Sequence, residues 1–325
     1  MSTPEAHKNC WQGRVDTEDA STSIRLHQQV ILEKQTDYKN ALVLVGFESD
    51  EGVARNQGRR GAAQGPNALR SALANLVSPK NVQLYDAGNI SCEGQSPEQK
   101  LEQAQQLYAK EVEAILTAGG QPIGLGGGHE IAWASFLGTQ QYLQKHQPNT
   151  RLGILNFDAH FDLRNPKPIT SSGTPFRQAQ QWSNANNQPF QYKVIGLNPS
   201  ANTQALFDFA QSQNVQWVND THCGETDIET IMSNLETWLH TIDALYLTVC
   251  LDVFPAGDAP GVSAPAALGV QPLVVLKLIS RIKALLKTMK KPLIMADVAE
   301  LNPGLDVDGK TAKLAARVVY SLISG

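Results

Sequence analysis

RLGILNFDAHFD, residues 151–162, is an apolar run that ends in two aspartates and a histidine spaced by two. The apolar part predicts a buried strand over 151–157. If the chain stays extended just past it, alternate residues face the same way, and Asp158, His160 and Asp162 converge on one spot at the strand's carboxyl end. Open α/β sheets hold their ligands at that end. Carboxylate oxygens combined with imidazole nitrogens suit a borderline divalent ion such as Mn²⁺ better than Ca²⁺ or a thiolate-loving metal.

Three other segments have the same shape. PIGLGGG (122–128) delivers His129 and Glu130, ALYLTV (244–249) delivers Cys250 and Asp252, and LIMA (293–296) leads to Asp297 and Glu300. Further apolar runs predict strands at 41–46, 83–86, 192–197 and 215–218, which makes eight. Helical patterns fall between strands at 66–76, 97–118, 130–145, 202–212, 227–239 and 272–287. Alternation of this kind implies an α/β protein with a parallel sheet and helices on both faces. No Pro/Gly/Ser-rich linker, charge run or internal repeat divides the chain, so 1–325 is expected to form a single domain. The polar residues 1–40 either pack over it as an arm or fray. Long loops are expected at 165–181 and 254–268, directly after two ligand-bearing strands, where loops shape substrate pockets.

The 325 residues carry a formal net charge of −4, which argues against nucleic acid or an anionic membrane as the main partner. A hydrophobic content of 42% and a charged content of 18% are those of an ordinary globular protein. No apolar stretch is long enough to span a bilayer, and MSTPEAHKNC has no signal-peptide pattern, so a cytoplasmic location is expected. Cys10, Cys92, Cys223 and Cys250 lack CxxC pairing, which indicates neither a zinc ribbon nor a disulfide framework.

Each motif also has a plainer reading. The glycines before His129 could cradle a phosphate at a helix start, but GLGGGHE has neither GxGxxG spacing nor a Walker lysine. Taken alone, Glu300 and Arg164 are surface charges, and Ser171 and Ser172 a turn; their places just beyond candidate ligands promote them. His222 and His240 have no such neighbours and are read as structural or exposed.

In order along the chain, NQGRRGAAQGP (56–66), GGGHE (126–130), DAHFD (158–162), TVCLDVFPAGDAPG (248–261) and DVAELNP (297–303) resemble the ureohydrolase (arginase and agmatinase) family. The resemblance spans nearly the whole chain. It implies a three-layer α/β/α sandwich with an eight-stranded parallel sheet, and a centre of two Mn²⁺ ions per subunit. One ion would take His129, Asp158 and Asp162, the other Asp158, His160 and Asp252, with Asp158 bridging. The family pattern has an aspartate where this chain has Cys250. Three readings of that departure stand open: a bridging thiolate that alters the second site, a protonated thiol whose place as a ligand is taken by water, or a small buried apolar residue.

WQGRVD (11–16), GGGHE in place of the commoner GGDHS, DAHFDLR (158–164) and SSGTPFRQ (171–178) narrow the implied activity. It is hydrolysis of the formimidoyl C–N bond of N-formimidoyl-L-glutamate, in histidine degradation. Phe176 and Arg164 disfavour arginine, for which the family pattern implies a histidine near 176 and a small polar residue at 164. Release of urea from another guanidino acid is the alternative, and a metal-depleted non-enzymatic homologue is a third reading. By the same resemblance Glu300 would hold the protonated amidine and Asp162 would pass a proton to the departing nitrogen. The substrate's carboxylates need cations or hydroxyls. Arg164 is first in line, followed by Ser171, Ser172 and Arg177, with Arg59 and Arg60 within possible reach. The expected partner is a small-molecule substrate, and the family pattern implies a homo-oligomer, trimer or hexamer.

Overall fold

Each of the four central strands is buried along almost its whole length, which is why they read as unbroken apolar runs rather than alternating ones. The computed structural model describes residues 7–19, 22–92 and 99–324. Its strands are β1 (Leu42–Glu48), β2 (Leu84–Ser91), β3 (Gln121–Leu125), β4 (Leu152–Phe157), β5 (Gln191–Leu197), β6 (Gln216–Asn219), β7 (Ala244–Cys250) and β8 (Leu293–Ala299). All eight join one parallel sheet in the order β2-β1-β3-β8-β7-β4-β5-β6.

Parallel neighbours need long crossovers, and helices supply them. They are α1 (Leu26–Gln29), α2 (Glu51–Arg55), α3 (Gly65–Ala74), α4 (Lys100–Thr117), α5 (Ile131–His146), α6 (Pro175–Ala185), α7 (Gln204–Ser212), α8 (Ile228–Leu239), α9 (Pro272–Met289) and α10 (Lys310–Ile323). Two apolar cores result, one on each face of the sheet. Leu155 and Phe157 of β4 belong to the core formed with α3, α8, α9 and α10, while Leu152 and Ile154 belong to the one formed with α4, α5, α6 and α7. This is the three-layer α/β/α sandwich.

The eight expected strands are all present. Four helices lie outside the sequence reading: the short α1 and α2, and the longer α6 and α10. The last part of the expected loop, 175–181, belongs to α6, started by Pro175 at its first turn and held to the core by Phe176 and Ala179. Its remaining positions are mostly Gln, Asn and Ser, which disguises it as a loop. The terminal helix α10, unassigned from sequence, seals one face with Ala315, Val318, Val319 and Leu322. The described part of 1–40 packs as an arm: Trp11 is buried, its Nε1 donates to Asp86 Oδ2 at 2.7 Å, and Ile31 bridges the outer edge of β2 at Tyr85.

Candidate metal centre

From β1 the chain goes outward to β2 on one side, and from β4 outward to β5 and β6 on the other. The sheet therefore changes direction around β3-β8-β7-β4, the position where this architecture opens a ligand crevice. The carboxyl ends of these four strands carry His129, Glu300, Cys250 with Asp252, and Asp158 with His160 and Asp162.

The loop after β3 reaches the site by squeezing past two neighbouring strand ends. A Cβ on Gly127 would lie 1.9 Å from the Ser49 carbonyl oxygen, and one on Gly126 would lie 2.8 Å from that of Val298. Close backbone approach, rather than a phosphate, accounts for these glycines. Glu130 anchors the loop away from the centre, accepting from Ser49 Oγ and the Gly52 N–H, both at 2.9 Å. Burial pushes its pKa up to about 7.

After β4 the backbone does not simply continue extended. Asp162 sits at φ 49°, in the left-handed region, and Glu300 after β8 at φ 74°. Strained conformations of this kind persist where the surroundings hold them. Here Asn202 does so, accepting from the Phe161 N–H at 3.1 Å and donating to the Ala159 carbonyl at 3.0 Å. Glu300 is held by its own N–H on the Gly127 carbonyl, 2.8 Å, and accepts the His129 N–H at 2.7 Å.

The donors converge in two overlapping groups. Ligating atoms of His129, Asp158 and Cys250 lie within 4.8 Å of one another, and so do those of Asp158, His160 and Asp252. Asp158 belongs to both. Asp162 joins the first group, its Oδ2 lying 2.9 Å from His129 Nδ1. His129 Nδ1 is also 3.0 Å from Asp158 Oδ2, and His160 Nδ1 is 3.1 Å from Asp252 Oδ2.

Electrostatics within the cluster are severe. Burial pulls the pKa of His129 down, but the Asp158 and Asp162 carboxylates outweigh it and raise it well above the ordinary value. Asp158 is buried yet held low by His129 and His160. Asp162 is raised to about 6 by burial and by the Asp158 charge. Cys250 is pushed far up by burial, with Asp158 and Asp252 adding to the effect.

A divalent cation fits this donor set. His129 Nε2 is engaged by Thr248 Oγ1 at 3.0 Å, while its buried Nδ1, facing two carboxylates, makes no hydrogen bond of good geometry. Buried Asp252 Oδ1 is likewise unpaired. Buried orphans that all aim inward call for a ligand in the middle.

Residues 40–325 match the Arginase family. The chain belongs to that family. It is 46% identical to a formimidoylglutamase of Hahella chejuensis, over 96% of this chain and 93% of the relative. It is 44% identical to one of Ralstonia nicotianae, over 99% and 96%. Among solved structures, formimidoylglutamase from Bacillus subtilis superposes with a TM-score of 0.80 at 20% identity, covering 99% of this chain and 98% of that one. Trypanosoma cruzi formiminoglutamase with Mn²⁺ gives 0.76 at 24% identity, covering 92% and 97%. These two structures bear on the fold.

Above the donors lies a cavity of about 310 Å³. His129, His160, Asp162, Cys250, Asp252 and Glu300 line its floor, and Arg164 and Ser172 its wall. Three of the expected substrate contacts are elsewhere. Arg177 lies flat on Phe209, 3.4 Å from the ring centroid, because α6 turns it away from the cavity. Ser171 is buried in a turn, its N–H on Thr174 Oγ1 and its Oγ accepting from the Gly173 N–H. Arg60 pairs with Asp50 and Glu51. Phe176, where the family pattern implies a histidine in arginine hydrolases, is fully buried and packs edge-on to His129. Asn56, Gln57, Asn202 and Ser263 also line the wall. None is singled out by the sequence, because neutral side chains on separate loops carry no metal or acid/base signature.

Proposed function

We propose that this chain hydrolyses N-formimidoyl-L-glutamate to L-glutamate and formamide, the formimidoyl step of histidine degradation, using two manganese ions per subunit. The observation that carries the reading is the convergence of two donor groups on Asp158 beneath a cavity with arginines in its wall. Near-full-length identity to formimidoylglutamases supports the substrate, and the manganese in the Trypanosoma cruzi formiminoglutamase supports the metal. His129, Asp158 and Asp162 would hold one ion, and Asp158, His160 and Asp252 the other, with Cys250 beside the first set in the position of the family's aspartate.

When bound, the ions supply a water nucleophile activated at neutral pH. The water oxygen bonds to the amidine carbon, the bond from that carbon to the glutamate nitrogen breaks, and a water proton ends on that nitrogen. Glu300 faces the cavity with one oxygen fixed by the His129 N–H. Its carboxylate is placed to accept from the amidinium N–H groups and so keep the carbon electrophilic. Asp162, in the cavity floor beside His129, would carry the proton to the departing nitrogen. Arg164 and Ser172 present donors to a substrate carboxylate.

We further propose a cytoplasmic enzyme that forms a homo-oligomer, trimer or hexamer, as the family resemblance implies, and that acts on a small molecule rather than nucleic acid or membrane. The acidic net charge argues against nucleic acid or an anionic membrane as partner. No helix among the described residues is long and apolar enough to cross a membrane. Incubation of the purified protein with manganese and N-formimidoyl-L-glutamate tests the reaction. Formamide is the expected product; urea release from a guanidino acid, or turnover undiminished after rigorous chelation, would overturn it.

A further inference from the structure

Two arginines stand apart from the other nine. Seven pair with carboxylates, and two lie on aromatic rings, Arg177 on Phe209 and Arg317 on Tyr320. Arg59 and Arg164 have neither kind of partner among the described residues, and both line the cavity over the metal centre. A guanidinium keeps its charge at every pH a protein meets. The wall of the cavity therefore carries two fixed, unneutralised positive charges above an acidic floor.

The Arg59 side chain is held in place, and that of Arg164 packs along the chain. Arg59 Nε donates to the Ser263 carbonyl at 3.0 Å and Nη2 to the Val262 carbonyl at 2.8 Å, while its backbone N–H donates to Ser263 Oγ at 2.8 Å. Neutral carbonyls fix the fork without cancelling its charge, and they leave donors free. Arg164 lies across Gly173: a Cβ there would come within 2.8 Å of Arg164 Cδ and 3.2 Å of its Nε. The Arg164 N–H also donates to the Gly173 carbonyl at 2.9 Å. Conformational entropy is a main cost of ordering an arginine around a ligand, and for Arg59 part of it is met before the ligand arrives.

Building on the substrate reading above, we propose that Arg59 and Arg164 form a two-point clamp selecting a dicarboxylate. Arg164, two residues beyond Asp162, takes the α-carboxylate next to the scissile nitrogen. Arg59, reaching in from the loop after β1, takes the side-chain carboxylate. Each planar fork matches one carboxylate, and a ligand carrying an amide at either end leaves one fork unpaired.

Calorimetric titration of the manganese-loaded protein with L-glutamate, L-glutamine and L-isoglutamine tests the clamp without requiring turnover. Arg59→Gln and Arg164→Gln should each weaken L-glutamate by about ten- to a hundredfold. L-glutamine, without the side-chain carboxylate, should bind Arg59→Gln and the unaltered protein alike, and L-isoglutamine should be equally indifferent to Arg164→Gln. Arg59→Lys, which keeps the charge, should recover part of the loss. Equal weakening of all three ligands would mark a loop defect and overturn the clamp, as would no weakening at all or the reverse pairing of arginine with ligand. Formamide release by the unaltered protein, measured alongside, reports on the reaction separately, so either idea can fail without the other.

Discussion

His129 is tuned from behind by a hydroxyl. Thr248, whose Oγ1 lies 3.0 Å from His129 Nε2, stands opposite Asp297 in the β7–β8 ladder. Buried Asp297 accepts from Ser135 Oγ and Tyr246 OH, both at 2.6 Å; burial pushes its pKa up, and the Ser135, Thr248 and Tyr246 hydroxyls oppose that shift without overcoming it. A threonine has one proton to give. If it goes to the carboxylate, the oxygen must accept from Nε2–H, and Nδ1 is left as a lone pair directed at the centre. Thr248→Val keeps the shape and removes the hydroxyl, so it should weaken manganese binding by about ten- to a hundredfold. Thr248→Ser should restore it. Metal titration followed by manganese electron paramagnetic resonance measures both, and a valine variant with unaltered affinity would disprove the tautomer argument. Cys250 invites the opposite experiment. Its neutral, buried thiol sits where the family pattern has a hard anion, so Cys250→Asp should tighten manganese; unchanged affinity and rate would make position 250 packing alone.

Among the elements, those buried on both sides were easiest to read. Strands such as ALYLTVC pack against helices on either face, so their apolarity is continuous and their ends, where Asp158 and Asp252 follow, are sharply marked. Helix α6 was hidden because only a narrow stripe of it meets the core, and with it went the true direction of Arg177. The cavity wall was mostly illegible for a different reason: 56–59 and 263–264 come together only through the fold. The arm at the edge of the sheet makes a stability prediction. Asp86 is fully buried between Arg70, which donates to both its oxygens at 2.7 Å, and Trp11. Burial opposes its ionisation, yet Arg70 prevails and holds its pKa below the usual value. A depressed carboxyl pKa gives stability that is present above the unfolded value, about 3.9, and lost as pH falls through the folded one. Asp86→Asn leaves Arg70 buried without its counter-charge and should cost about 3 to 5 kcal/mol in urea unfolding at pH 7. That cost should shrink as pH falls below about 3.9, where the unfolded carboxyl takes up a proton that the native one still refuses. A loss that stayed constant with pH would mean the ion pair is not its cause.

The centre joins segments from position 129 to position 300, hanging from four neighbouring strands in the middle of the sheet. In metal-free protein these strand ends hold several acids in one buried place, where burial and the Asp158 charge raise the pKa of Asp162 and Asp252. A cation that binds only the folded arrangement removes that repulsion and shifts the folding equilibrium by mass action. The gain should be about 2.7 kcal/mol at a free manganese concentration a hundred times the dissociation constant, and about 1.4 kcal/mol for each further tenfold. Because β3, β8, β7 and β4 form the middle of one continuous sheet, the stabilisation should appear as a rise in the Tm of a single transition, not as the late melting of one part. Thermal melts over a manganese series would show this. Asp158→Ala, which removes the donor shared by both groups, should flatten the dependence more than Asp252→Ala, which removes a donor from one. A Tm independent of manganese in a protein that nonetheless needs manganese for turnover would mean that the donors do not come together in the way this arrangement requires.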